Sequence, residues 1–150
     1  MSGAGSLRFG AGFTLVELLV ALLVIGVLTA IAVPGYRTHV LRTQRTDATA
    51  ALTRTQAAQE RYFLEFNRYA GSLTDAPPAG LGLRATSDFG YYGLSLVAAE
   101  DGGGFTVTAS RQRAVDARDD PRCSSLSIDE SGLRGARDVQ GGDTSEECWR

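Results

Sequence analysis

The sequence predicts an α+β chain, a long kinked N-terminal helix packed on a small antiparallel β-sheet. Three observations carry this prediction. The run from Phe13 to Val33, FTLVELLVALLVIGVLTAIAV, is apolar over 21 residues and holds one charge, Glu17. The stretch from Tyr36 to Tyr69 contains no Gly or Pro and is rich in the helix formers Ala, Arg, Gln and Leu. Beyond Gly90, short runs rich in Val, Tyr, Phe and Thr alternate with Gly- and Asp-rich turns, the pattern of a strand meander.

Composition sets the outer bounds. The chain has 150 residues, 43% of them hydrophobic and 21% charged, with a net charge of −2. That is one domain, or one domain plus an extension. It excludes a collagen-like repeat, a disordered charged tail and a cysteine-dense mini-scaffold. It also excludes a chain held to nucleic acid by phosphate neutralisation alone. All 15 positive charges are Arg, which reads as compositional bias.

As a helix the apolar run is about 30 Å long, the thickness of a bilayer's hydrocarbon core. It has no polar face, so it is no ordinary amphipathic surface helix. Three readings of it stay open. One is a plain membrane anchor. Another is a secretory signal, for which Ala30-Ile31-Ala32 supplies a cleavage site and which would release a soluble domain after Ala32. In the third, the chain is processed between Gly12 and Phe13 and keeps the apolar run.

Gly12-Phe13-Thr14-Leu15-Val16-Glu17, followed by the apolar run, resembles the class III signal of type IV prepilins and pseudopilins. The resemblance covers about the first 35 residues. It implies a leader at 1–12, cleavage after Gly12 by a prepilin peptidase, and N-methylation of Phe13. A carboxylate in a membrane helix costs several kcal/mol on insertion scales, so Glu17 is a functional residue by default. Phe13 and Glu17 lie four residues apart, one helical turn, so an amine at Phe13 and the carboxylate can approach each other. In the family, the glutamate at this position is implied to pair with the terminal amine of a neighbouring subunit.

Gly26 and Pro34-Gly35 are the expected interruptions of the helix, which resumes at Tyr36 and runs to Phe66, roughly 80 Å in all. Two separate helices are the alternative. Ala48, Leu52, Gln59, Phe63 and Tyr62, Phe66 form the face that packs on a globular body. Arg37, Arg42 and Arg45 flank the apolar run on its C-terminal side, where the positive-inside rule would place the cytoplasm. The resemblance places that side outside, with these arginines serving helix-to-helix pairing.

The chain thus divides into a leader at 1–12, a membrane and assembly helix at 13–34, an amphipathic half at 35–66, a connecting loop at 67–90 and a sheet head at 91–150. Within the head, Tyr91–Ala99, Phe105–Ser110 and Ser124–Ile128 are strand candidates, with a fourth near Leu133. Cys123 and Cys148 are the only cysteines, an even pair in a chain expected to be exported. Bridging them would close a loop worth about 3.5 kcal/mol. The resemblance implies that disulfide, and Cys-x-x-Leu-x-Ile with the later Cys-Trp resembles the minor pilins of the PilE type. Free thiols or a partial metal site are the alternatives.

Other candidate chemistry is discounted. His39 is the only histidine and sits on an Arg-rich helix. Gly102–Gly104 and Gly141-Gly142 lack the lysine and the strand-to-helix setting of a phosphate loop. Asp116, Asp119 and Asp120 miss the calcium-loop spacing and read as a solvated turn. Trp149 is expected to pack near the disulfide. From Asp101 to Arg150, seven Arg face ten acids, a net of −3, so net charge gives DNA binding no support.

The expectation is a structural subunit of a type IV pilus, a minor pilin, and not an enzyme, with no cofactor and no metal. Its partners would be other pilin subunits, the prepilin peptidase, the inner membrane and the pilus assembly platform. It would sit in the inner membrane with the head in the periplasm, then in a surface filament supporting adhesion, twitching motility or DNA uptake. The nearest alternative is a type II secretion pseudopilin.

Overall fold

Helix α1 spans Leu15–Phe66, and four strands follow: β1 Tyr92–Ala98, β2 Phe105–Arg111, β3 Ser125–Asp129 and β4 Arg134–Arg137. A short helix, α2, covers Ser145–Cys148. The computed structural model describes residues 13–112 and 120–150. The expected leader with Gly12, and the candidates Asp116 and Asp119, lie outside those residues. The chain separates into two units, Met1–His39 and Val40–Arg150.

In the first unit the apolar part of α1 holds a window of mean hydropathy 2.8, none of it buried. Leu15, Leu23 and Ile31 are all exposed, as a helix apolar on every side must be when it has no partner. Gly26, Pro34 and Gly35, the expected interruptions, do not divide α1, which is helical through all three. Proline removes one N–H from the ladder, and the strong helix formers on both sides carry the helix across. Two separate helices are therefore not what the chain adopts.

In the second unit α1 buries Gln44, Asp47, Ala48, Ala51, Leu52, Thr55, Gln59 and Tyr62. The spacing of three and four residues places them on one stripe. The expected apolar face is present, yet half of this stripe is polar. The strands form one antiparallel sheet in the order β1-β2-β3-β4. Leu94 pairs with Ala109, Val107 with Ile128, and Leu126 with Ala136, which sets one face of the sheet into the core. Leu52, Tyr92, Phe105, Val107, Leu126 and Ile128 make that core. Thr106, Thr108, Ser125 and Ser127 alternate to the other face.

The turns between strands are built from carboxylates. The Asp101 Oδ1 accepts the Gly103 N–H at 2.8 Å, and Gly102 takes the positive φ of 70° that this hairpin needs. Between β3 and β4, Asp129 Oδ1 accepts from the Ser131 N–H, the Ser131 hydroxyl and the Leu133 N–H. The connecting loop is tied to α1 by Gln59, whose amide donates to the Ala70 carbonyl at 2.9 Å and accepts the Ala70 N–H at 2.8 Å. Tyr62 adds a 2.6 Å hydrogen bond to the Pro78 carbonyl. A bridge between Thr86 and Gly93 covers the edge of β1.

Candidate functional site

The N-terminal element is built by Thr14. Its carbonyl accepts the Leu18 N–H at 3.2 Å and its hydroxyl accepts the Glu17 N–H at 3.2 Å, so Thr14 is the N-cap of α1. Phe13 lies just outside the helix, 79% exposed. Glu17 falls in the first turn, where the helix dipole favours a negative charge. Among the described residues its carboxylate has no hydrogen-bond or ion-pair partner. A single acid thus stands at the start of an apolar run, Leu15 to Val33, that is exposed throughout. That arrangement is suited to meeting a cation supplied from elsewhere.

The C-terminal element is closed by the Cys123–Cys148 disulfide, with Cα atoms 5.8 Å apart and both cysteines buried. The disulfide that the resemblance implies is therefore present, and the free-thiol and metal alternatives for this pair fall away. The bridge pins α2 beside β4, the open edge of the sheet. The Thr144 N–H donates to the Ala136 carbonyl at 3.0 Å, and the Ser145 hydroxyl accepts the Ala136 N–H at 2.9 Å. Edge groups that would otherwise template pairing are satisfied. Trp149 packs against the core beside the bridge, as expected, and its indole N–H donates to the Gly135 carbonyl at 2.9 Å. Arg134 lies 5.0 Å from the centroid of the indole ring, a cation–π contact.

Asp120 departs from the expected solvated turn. It is buried and accepts from Arg45 Nε at 2.6 Å across 75 residues of sequence. The turn reading failed because the partner lies on a distant helix. Arg111 donates to the Gln44 amide oxygen at 2.9 Å, and Arg122 pairs with Glu147 at 2.7 Å. Arg54 holds Asp88 through two hydrogen bonds of 2.8 and 2.6 Å, and Arg84 adds a third. The Arg54 contact pulls the Asp88 carboxyl below its ordinary range. The Ser131 hydroxyl does the same to Asp129, and the Ser145 hydroxyl to Asp143.

A groove of about 450 Å³ runs over the outer face of the sheet, lined by Thr106, Thr108, Ser125, Ser127, Arg137 and Asp143 among others. Arg137 donates to the Gly141 carbonyl and lies near Asp143, whose carboxylate lines the same groove. Arg122, by contrast, is committed to an acid, Glu147. His39 is exposed on α1, and no histidine, cysteine or acid cluster of metal-binding geometry occurs among the described residues. Sequence reasoning missed Thr14 as a cap, although Thr-x-x-Glu is a helix-start signal.

A family model described as "Type IV minor pilin ComP, DNA uptake sequence receptor" matches residues 34–127. The prokaryotic N-terminal methylation motif matches residues 8–33. The chain belongs to the type IV minor pilin family. This pilin is 40% identical over 63 residues to a fimbrial protein of Pseudomonas aeruginosa, covering 42% of this chain and 41% of that one. It is 32% identical over 99 residues to fimbrial protein EcpC of Eikenella corrodens, covering 66% of this chain and 61% of that one. The pilin thus spans about two fifths of the length of the first of these relatives. Among solved structures, a type IV pilin from Shewanella oneidensis aligns with a TM-score of 0.49 and 26% identity, over 73% of this chain and 98% of that one.

Proposed function

We propose that this minor pilin is a structural, non-enzymatic subunit that a prepilin peptidase cuts between Gly12 and Phe13. The new amine of Phe13 is methylated and keeps its positive charge. The segment 13–34 holds the subunit in the inner membrane, with the head outside the cytoplasm. It then becomes the assembly element through which the assembly platform adds the subunit to other pilins in a surface filament. Glu17 meets the Phe13 amine of a neighbouring subunit, because two charges that are each costly in hydrocarbon neutralise one another. The observation that carries this reading is Glu17 itself, the one acid in the exposed apolar run from Phe13 to Val33, inside a matched methylation motif.

Glu17→Ala tests it. The variant is expected to be processed and methylated as the wild type yet to be lost from sheared filaments. Incorporation at the wild-type level would remove the pairing argument. A deletion strain that keeps its pili and twitching but loses type II secretion would assign the protein to the pseudopilins instead.

A role in DNA uptake is the second reading, favoured by the description of the matching family model. The net charge of the head opposes it. Arg134, which stacks on the Trp149 ring, and Arg137, which donates to the Gly141 carbonyl, are the cations best placed to serve it. Duplex DNA binding by the purified protein should then weaken steeply with salt, and less steeply in the Arg134→Ala/Arg137→Ala double variant. No binding at low salt would withdraw this role.

A further inference from the structure

Antiparallel sheets commonly turn one face to water, and that face is polar. Here its polar side chains are short. Thr106, Thr108, Ser125 and Ser127 line the groove of about 450 Å³, and Ser127 stands between Thr108 and Gly135 in the register. None of the four hydroxyls has a hydrogen-bond partner among the described residues. The β3–β4 pairing runs without a bulge from Ser125–Arg137 to Ile128–Arg134, so no kink calls for a glycine at 135. A Cβ at that position would stand 2.8 Å from the Ser127 Oγ, so Gly135 keeps space open beside that hydroxyl.

The charged residues of the lining balance one another. Arg134 and Arg137 are matched by Asp129 and Asp143, a sum of zero. In each acid Oδ1 holds its own turn, and Oδ2 has no hydrogen-bond partner among the described residues. A polyanion would meet as many acids as bases, whereas phosphate recognition needs an excess of cations. A protein partner would ask for aromatic and apolar anchors at the centre, and the centre here is hydroxyl. The volume is in the range that holds a small ligand. We infer that this groove binds an uncharged oligosaccharide. Each protein hydroxyl can donate to and accept from a sugar hydroxyl, and the guanidinium and carboxylate groups can each take a neighbouring pair of them. The inference does not depend on how the subunit is processed or assembled.

The full chain in micelles of dodecylphosphocholine, a detergent without sugar, makes the test. Amide signals are followed by NMR as chitotetraose, cellotetraose or maltotetraose is added, with a heparin tetrasaccharide and a DNA duplex in parallel. At least one uncharged sugar should shift the signals of Thr106, Thr108, Ser125 and Ser127, with a Kd of about a millimolar or below that salt leaves unchanged. The double variant Thr108→Val/Ser127→Ala removes two hydroxyls at nearly constant shape and should weaken that binding roughly ten-fold. Gly135→Ala crowds the Ser127 hydroxyl and should weaken it as well. The urea midpoint reports whether each variant keeps the head folded, and Arg137→Gln replaces any that does not. No shift with any of the three sugars overturns the inference. So does sugar binding that the folded variants leave at wild-type strength. Shifts caused only by heparin or DNA would make the groove a polyanion site and overturn it too.

Discussion

Gln59 is the buried polar residue whose removal should cost the head most. Its side chain is fully buried, and its amide makes both hydrogen bonds of the Ala70 backbone, at 2.9 and 2.8 Å. Gln59→Met keeps the length and nearly the volume of the side chain, so the cavity contribution is small. What changes is that the Ala70 N–H and carbonyl, at a residue only 1% exposed, lose their partners. An orphaned buried group costs about 1–3 kcal/mol, and two of them, offset by the better burial of a thioether, give about 2–4 kcal/mol. Trp149 is the only tryptophan and lies in the head, so its fluorescence follows head unfolding during a urea titration of the detergent-purified protein. The midpoint should fall with little change in slope. A loss under about 0.5 kcal/mol would refute the view that Gln59 fastens the connecting loop to α1.

Three more outcomes follow from the same packing. Replacing both Cys123 and Cys148 by Ser should cost about 3.5 kcal/mol through loop entropy and free the Ala136 edge of β4. Sedimentation should then show concentration-dependent self-association, and a strictly monomeric variant would argue against the edge-guarding role of α2. Arg45→Met leaves the Asp120 carboxylate buried without its guanidinium and should cost about 2–3 kcal/mol in the same urea assay, with little effect contradicting the ion pair's importance. Asp88, Asp129 and Asp143 have lowered carboxyl pKa values in the folded head, so they bind fewer protons there than in the unfolded chain. Their contribution is fully present above the ordinary Asp range near about 4 and is lost as pH falls through the folded values. Head stability that rises on acidification below that range would reverse this sign.

Strands β1 to β3 were legible because each carries a period of two on its own residues, which β4, Arg-Gly-Ala-Arg, does not. Phe105, Val107 and Ala109 point inward while Thr106 and Thr108 point out, and Leu126 and Ile128 repeat the pattern. The turns were legible from Gly102 and Gly132, which take positive φ. The buried stripe of α1 was legible only in its apolar half. Gln44, Asp47, Thr55 and Gln59 are polar, and what licenses their burial is supplied in part by distant residues such as Ala70, Phe89 and Arg111. Asp120 escaped for the same reason, its guanidinium being on α1. Helix α2 has only four residues, too few for any periodicity, and its position follows from the disulfide and from Thr144 and Ser145 at the β4 edge. Thr14 was visible as part of a motif, but one motif carried two signals, and the signal for assembly masked the one for helix initiation.

The mature N-terminus of the protein in purified filaments tests the central claim most directly. Mass spectrometry should find a chain that begins at N-methylated Phe13 and retains the whole apolar segment. A chain beginning at Val33 would mean that Glu17 and the segment before it are discarded, and would contradict the account.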